Sequence, residues 1–236
     1  MKKRLSHAER HQSIVSAAAV VFADNGLDGT TTKQIAAAAR VSPALLYEHF
    51  PSKTALYRAV LRDLIRRQDA MIAGVGARLD WTGEVADGAS DGAAAILGML
   101  QKYYGACVHA KEKQQDVTAH RLLLASLGSD GTFARLLYRR TLRQSLKALD
   151  HAMTEARRQG NMSGRPISAQ TAFCFIEHVG SMLLSAHMGP SPIAPYGECG
   201  QDLVQQAVLF CGRGLGFTED VLNRHLPEAQ TGSSGS

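Results

Sequence analysis

Apolar side chains in this chain recur three and four residues apart in one stretch after another, while the alternating pattern of a half-buried strand is nearly absent. Clusters of Gly and Pro punctuate these stretches. That periodicity confines the fold to packed helices without a sheet, an all-α protein. Helices are expected at about 6–25, 32–40, 43–49, 52–73, 91–110, 114–127, 132–159, 168–188 and 200–215. The 236 residues suffice for one small domain and one larger one with a core of its own.

Charge divides the chain. Residues 1–78 carry 12 Lys or Arg against 6 Asp or Glu, a net +6, and residues 79–236 carry 14 against 15, a net −1. A basic first third joined to a near-neutral remainder points to a polyanion as partner of the first part; a solvated basic surface would look the same. Apolar residues at 45% exclude disorder by composition. No 18-residue apolar run is present, so no membrane span is expected. The basic start lacks the apolar stretch of a signal peptide, and the expected location is the cytoplasm. Cys107, Cys174, Cys199 and Cys211 lie far apart with no Cys-x-x-Cys pair, so reduced thiols are expected and no structural zinc or other cofactor. The end, residues 227–236, reads as a flexible tail or a cloning remnant.

The informative stretch runs from Thr30 to Leu56, TTTKQIAAAARVSPALLYEHFPSKTAL. Val41-Ser42 breaks it into two short helices, with Ser42 as cap and Pro43 in the first turn of the second. Phe50-Pro51 ends that helix. So short a helix is not stable alone. Ile35, Ala36, Ala39, Val41 and Leu46 have the spacing to bury it against its neighbours and leave its outer side for a major groove. Thr31, Thr32, Lys33, Tyr47 and Lys53 suit contact with phosphate, and Lys2, Lys3 and Arg4 could form an arm on DNA.

Phe22, Gly26, Thr31-Thr32, Ile35-Ala36, Val41-Ser42, Leu46-Tyr47, His49-Phe50 and Lys53 to Leu56 stand in register over about residues 8–58, and here the sequence resembles the TetR family of repressors. The resemblance implies a homodimer on palindromic double-stranded operator DNA, released by a small-molecule effector. It implies that Tyr47 and His49 lie near phosphate and bases and that Thr32 and Lys53 anchor phosphates. The chain departs from the family where Arg40 stands in place of the usual glycine before Val-Ser. It departs again at Leu45, beside Pro43 and Ala44, which leaves the recognition helix poor in hydrogen-bonding side chains that read bases. The expected DNA surface is thus Thr31, Thr32, Lys33, Arg40, Ser42, Pro43, Ala44, Leu45, Tyr47, His49 and Lys53.

Three regions are expected: a DNA-binding domain at 1–53, a ligand-binding and dimerisation domain at 54–226, and the tail. Polar residues scattered among apolar helices, namely Tyr103, His109, His120, Tyr138, Glu177 and His178, are the ligand-site candidates for a mostly apolar or aromatic effector. Phe173, Ile176, Val179, Met182 and Leu183, with Leu203, Ala207 and Phe210, form the expected dimer stripes. Ala172 and Gly180 would let helices approach closely there. His7 and His11 are four residues apart, as zinc-binding pairs are, but an exposed helix face is the preferred reading. No nucleophile elbow, phosphate loop or dinucleotide fingerprint is present, so the chain is not expected to be an enzyme. An architectural DNA binder without a ligand and a metabolite-binding enzyme are the alternatives.

Overall fold

The computed structural model describes residues 5–76, 91–112, 116–189 and 191–226. Ten helices are found among them: α1 His7–Gly29, α2 Thr32–Ala39, α3 Pro43–His49, α4 Lys53–Gly76, α5 Gly92–Val108, α6 Thr118–Leu127, α7 Thr132–Arg158, α8 Ala169–His187, α9 Gly200–Leu215 and α10 Glu219–His225. The only extended pairing among the described residues is an isolated antiparallel bridge between Met162 and Phe217. No helix among them is long and apolar enough to cross a membrane.

The caps set the boundaries. Ser6 and Glu9 form a capping box, with the Glu9 N–H donating to Ser6 Oγ at 3.2 Å and the Ser6 N–H to Glu9 Oε2 at 2.7 Å. At the far end of α1, Gly26 takes φ 68° and ψ 179°, a break in the helix that runs on to Gly29. The break falls at the expected Asn25-Gly26, though helical turns resume beyond it. Ser52 Oγ accepts from the Ala55 N–H at 3.1 Å and starts α4. The final helix, α10, lies beyond the last helix expected from the sequence, at 200–215.

The described chain forms two compact units. The first contains α1 to α4, α6 and the start of α7 as far as Arg139; the second contains α5, the rest of α7 and α8 to α10. These units cut the chain differently from a division at residue 53, because α6 and the start of α7 contribute Leu122, Leu123 and Phe133 to the core that Ile14, Phe22, Ile35, Leu46, Leu56 and Val60 build. Burying each of those three side chains is worth about 1.5–3 kcal/mol, so the N-terminal helices do not form this core by themselves. Asp63 of α4 fastens α1: it accepts from Gln12 Nε2 at 3.1 Å and is paired with Arg66 and Arg67 on its own helix, while Arg67 reaches back to Ser16 at 3.1 Å. The second unit packs Ile96, Leu97 and Leu100 of α5 against Ala152 and Ala156 of α7, Ala172 of α8, Val204 and Val208 of α9, and Leu222 of α10.

Candidate nucleic-acid interface and effector site

In the first unit α2 and α3 meet across a tight turn. Thr31 caps α2 by accepting from the Gln34 N–H at 3.3 Å, and Gln34 Oε1 accepts in return from the Thr31 N–H at 2.8 Å. Ser42 caps α3 through the Leu45 N–H at 3.1 Å, with Pro43 behind it in the first turn. Ile35, Ala36, Ala39 and Leu46 are buried, and Val41 packs partly buried against them. Between the helices Arg40 takes the left-handed conformation, φ 53° and ψ 46°, the one non-glycine residue with positive φ among the described residues. A side chain there costs about 1–2 kcal/mol, which explains why glycine is the easier choice at this turn.

Thr31, Lys33, Arg40, Ser42, Pro43, Ala44 and Tyr47 are exposed, and Thr32 and Leu45 are half-buried. The Tyr47 hydroxyl reaches Thr32 Oγ1 at 3.5 Å, so the recognition-helix tyrosine and the start of α2 converge on one point. Glu48, not singled out from sequence, is also exposed on α3 and adds a negative charge to this surface.

Two of the expected DNA residues make contacts within the domain. Lys53 Nζ donates to the carbonyls of Leu27 at 2.8 Å and Thr30 at 2.9 Å, tying the end of α1 to the start of α4. Two of its three N–H groups are spent on the fold. His49 turns toward α1: its ring centroid lies 4.3 Å from that of His7 and 5.9 Å from that of His11. Its Nδ1 is enclosed and has no hydrogen-bond partner. Burial, and then His7 and His11, hold its pKa below the usual imidazole value. His7 and His11 are therefore ring partners of His49, and no group of three or more metal-binding side chains occurs among the described residues.

The six expected ligand residues are divided between the two units. His120 and Tyr138 belong to the first unit, where both are half-buried. In the second, His109 Nδ1 lies 2.8 Å from Glu112 Oε2, and His178 is exposed on α8. Tyr103 and Glu177 do come together: the Tyr103 hydroxyl donates to Glu177 Oε1 at 3.1 Å. Around them is a buried polar cluster in which the Tyr104 hydroxyl lies 3.3 Å from the Ile176 carbonyl oxygen and 2.8 Å from Cys211 Sγ. Burial raises Glu177 to about 7 against a small opposing effect of the Tyr103 hydrogen bond, and pushes Cys107 up to about 12. Cys211 was missed because no spacing links α9 to Tyr104.

The expected dimer stripes split. Ile176, Leu183, Leu203 and Ala207 face the unit's own core, and Phe173 and Val179 pack against it. Met182 at 52% and Phe210 at 70% exposure stay outside, as does Phe175 at 60%, which the expected stripes did not include. Ala172 is fully buried, and Gly180 receives Tyr103 of the same chain, whose Cε1 would stand 2.3 Å from a Cβ there.

Two short helices closed by a capped turn define the first unit as a helix-turn-helix domain. Residues 14–60 match the family model of bacterial regulatory proteins, tetR family. Over 72 residues the chain is 42% identical to the HTH-type transcriptional activator FasR of Mycolicibacterium smegmatis, covering 30% of this chain and 32% of that one. Over 58 residues it is 41% identical to the HTH-type transcriptional repressor KstR2 of the same organism, covering 25% and 28%. The matched stretch thus spans about a third of these curated relatives or less. Among solved structures, AibR in complex with isovaleryl coenzyme A and operator DNA superposes with a TM-score of 0.58 at 18% identity, over 89% of this chain and all of that one. KstR2 of Mycobacterium tuberculosis, a ketosteroid transcriptional regulator, gives 0.57 at 18% identity over 90% and 98%. At such identity the likeness is one of fold. Residues 14–60 are thus similar to the helix-turn-helix domain of the tetR family.

Proposed function

We propose that the chain is a ligand-responsive transcriptional repressor of the cytoplasm: a homodimer binds palindromic operator DNA, and a small, mostly apolar or aromatic effector releases it. The observation that carries this is the capped α2–turn–α3 pair with Thr31, Thr32, Lys33, Arg40, Ser42, Pro43, Ala44, Leu45 and Tyr47 at or near its surface. Residues 1–53 hold the DNA contacts, and residues 54–226 serve ligand binding and dimerisation. Lys53 and His49 position the reading surface from behind. Phe175, Met182 and Phe210 leave enough apolar surface outside the second unit to support pairing with a second copy. In such a dimer two recognition helices enter successive major grooves, roughly 34–36 Å apart. That a solved structure of the same fold, AibR, holds both an acyl coenzyme A and operator DNA supports a ligand-coupled reading.

Selecting bound sites from random duplex DNA tests it. One palindrome is expected, bound with an affinity that falls steeply with salt. The folded triple variant Thr32→Ala, Lys33→Ala, Tyr47→Ala should lose that site; equal affinity would show that this surface does not read DNA.

A further inference from the structure

Glu177 is half-buried on α8, yet the end of its carboxylate is enclosed. One carboxylate oxygen accepts from Tyr103, but Oε2 is closed off from solvent and has no hydrogen-bond partner. Leaving a buried polar group unpaired is unfavourable, more so for a charged one. Its neighbours do not supply the missing donor. The Tyr104 hydroxyl is engaged with Ile176 and Cys211, and the Cys107 thiol is at best a weak donor. Among the described residues no Lys, Arg or His pairs with Glu177, and no cation figures among the influences on its proton. Two aromatic rings stand beside it, those of Tyr103 and Tyr104, with centroids 5.5 Å apart. Gly180 makes this possible, since any Cβ there would strike the Tyr103 ring.

We propose that Glu177 is the polar anchor of the effector site and that the effector carries a protonated nitrogen on its apolar or aromatic body. This rests on the reading that the second unit binds an effector. An N–H of the ligand would donate to Oε2, its charge would neutralise the carboxylate, and the tyrosine faces would favour a cation beside them. An anionic ligand would meet like charge at the ionised carboxylate, and a neutral ligand would leave protonation as the means of removing that charge. The proton inventory follows: at neutral pH part of the Glu177 population is protonated, and a cation entering the site expels that proton to the buffer while the ligand keeps its own.

The test titrates the full chain calorimetrically with three probes of one shape: 1-naphthylmethylamine, 1-naphthylmethanol and 1-naphthoate. The amine should bind at least about tenfold tighter than the other two, with affinity rising about tenfold from pH 6 to pH 8. Repeating the titration at pH 7 in buffers of different ionisation enthalpy should show about half a proton released per amine bound. Glu177→Gln should lose the preference for the amine and bind the alcohol as wild type does. The pH profile and proton count need only the wild-type chain, so they stand even if that variant fails to fold. Amine binding no tighter than alcohol or naphthoate, proton uptake in place of release, or a preference that survives Glu177→Gln overturns the inference alone. Binding of none of the three overturns the effector reading and the inference with it.

Discussion

Lys53 Nζ lies 2.9 Å from the carbonyl oxygen of Thr30, the residue just before the helix-turn-helix begins, and 2.8 Å from that of Leu27. Its ammonium thus closes the end of α1 onto the start of α4 and fixes where α2 starts. Lys53→Met should cost about 1–3 kcal/mol in chemical denaturation, because two part-buried carbonyls lose their donor. DNA affinity should weaken with it, yet the slope of log affinity against log salt should stay as in wild type. A slope reduced by about one would mean that Lys53 neutralises a phosphate after all.

Arg40 should respond to substitution through its backbone. Arg40→Gly relieves a left-handed conformation and should leave the domain as stable as wild type or more stable, by up to about 1 kcal/mol. Arg40→Val should destabilise it by at least about 1 kcal/mol, since a β-branched side chain tolerates positive φ worst. Urea denaturation of both variants checks the order.

Stability should depend on Glu177 in a definite direction. Its carboxyl is raised from 4.5 to about 7 in the folded chain, so the folded state holds a proton that the unfolded state gives up between those values. Its contribution to stability is complete below pH 4.5 and is lost as pH rises through about 7, a difference on the order of 3 kcal/mol. Glu177→Gln should flatten the wild-type decline across that window and be relatively more stable at pH 8. Parallel denaturation curves for the two proteins from pH 5 to pH 8 would sink this.

The thiols should separate by reactivity. Cys199 is exposed, whereas Cys107 and Cys211 are buried with thiol pKa values raised chiefly by burial. Only thiolate attacks a disulfide reagent. At pH 8 Cys199 should react within the first phase, and Cys107 and Cys211 only on unfolding, as followed by peptide mass after quenching.

Pairing of two copies should depend on the exposed aromatic positions. Phe175→Glu with Phe210→Glu should give a folded monomer in sedimentation at micromolar concentration, because both side chains lie outside the unit's own core. A dimer that persists would place the interface elsewhere.

Local signals made the helix-turn-helix legible. Thr31, Ser42 and Pro43 fix the starts of α2 and α3 through bonds within three residues, and Phe50-Pro51 fixes the end. What the local sequence left open was long-range. His49 and Lys53 have residue types suited to DNA, but their directions depend on how α3 and α4 dock on α1. The dimer stripe on α8 held apolar residues of two destinations, Ile176 and Leu183 inward and Met182 outward, and apolar character alone does not sort them. Leu122 and Phe133 joined the N-terminal core from far along the chain, which no local pattern encodes.

The short helix α10 has a practical side for anyone tagging this protein. Gly212 of α9 is a socket for Leu222, whose Cδ2 would stand 2.7 Å from any Cβ placed there, and Leu226 beyond it is buried too. A chain cut after α9 would open that socket and expose Leu97 beside it. A fluorescent reporter or affinity handle therefore belongs after Leu226, where a fusion joint leaves the plug in place, and never at the inviting glycine turn around Gly216.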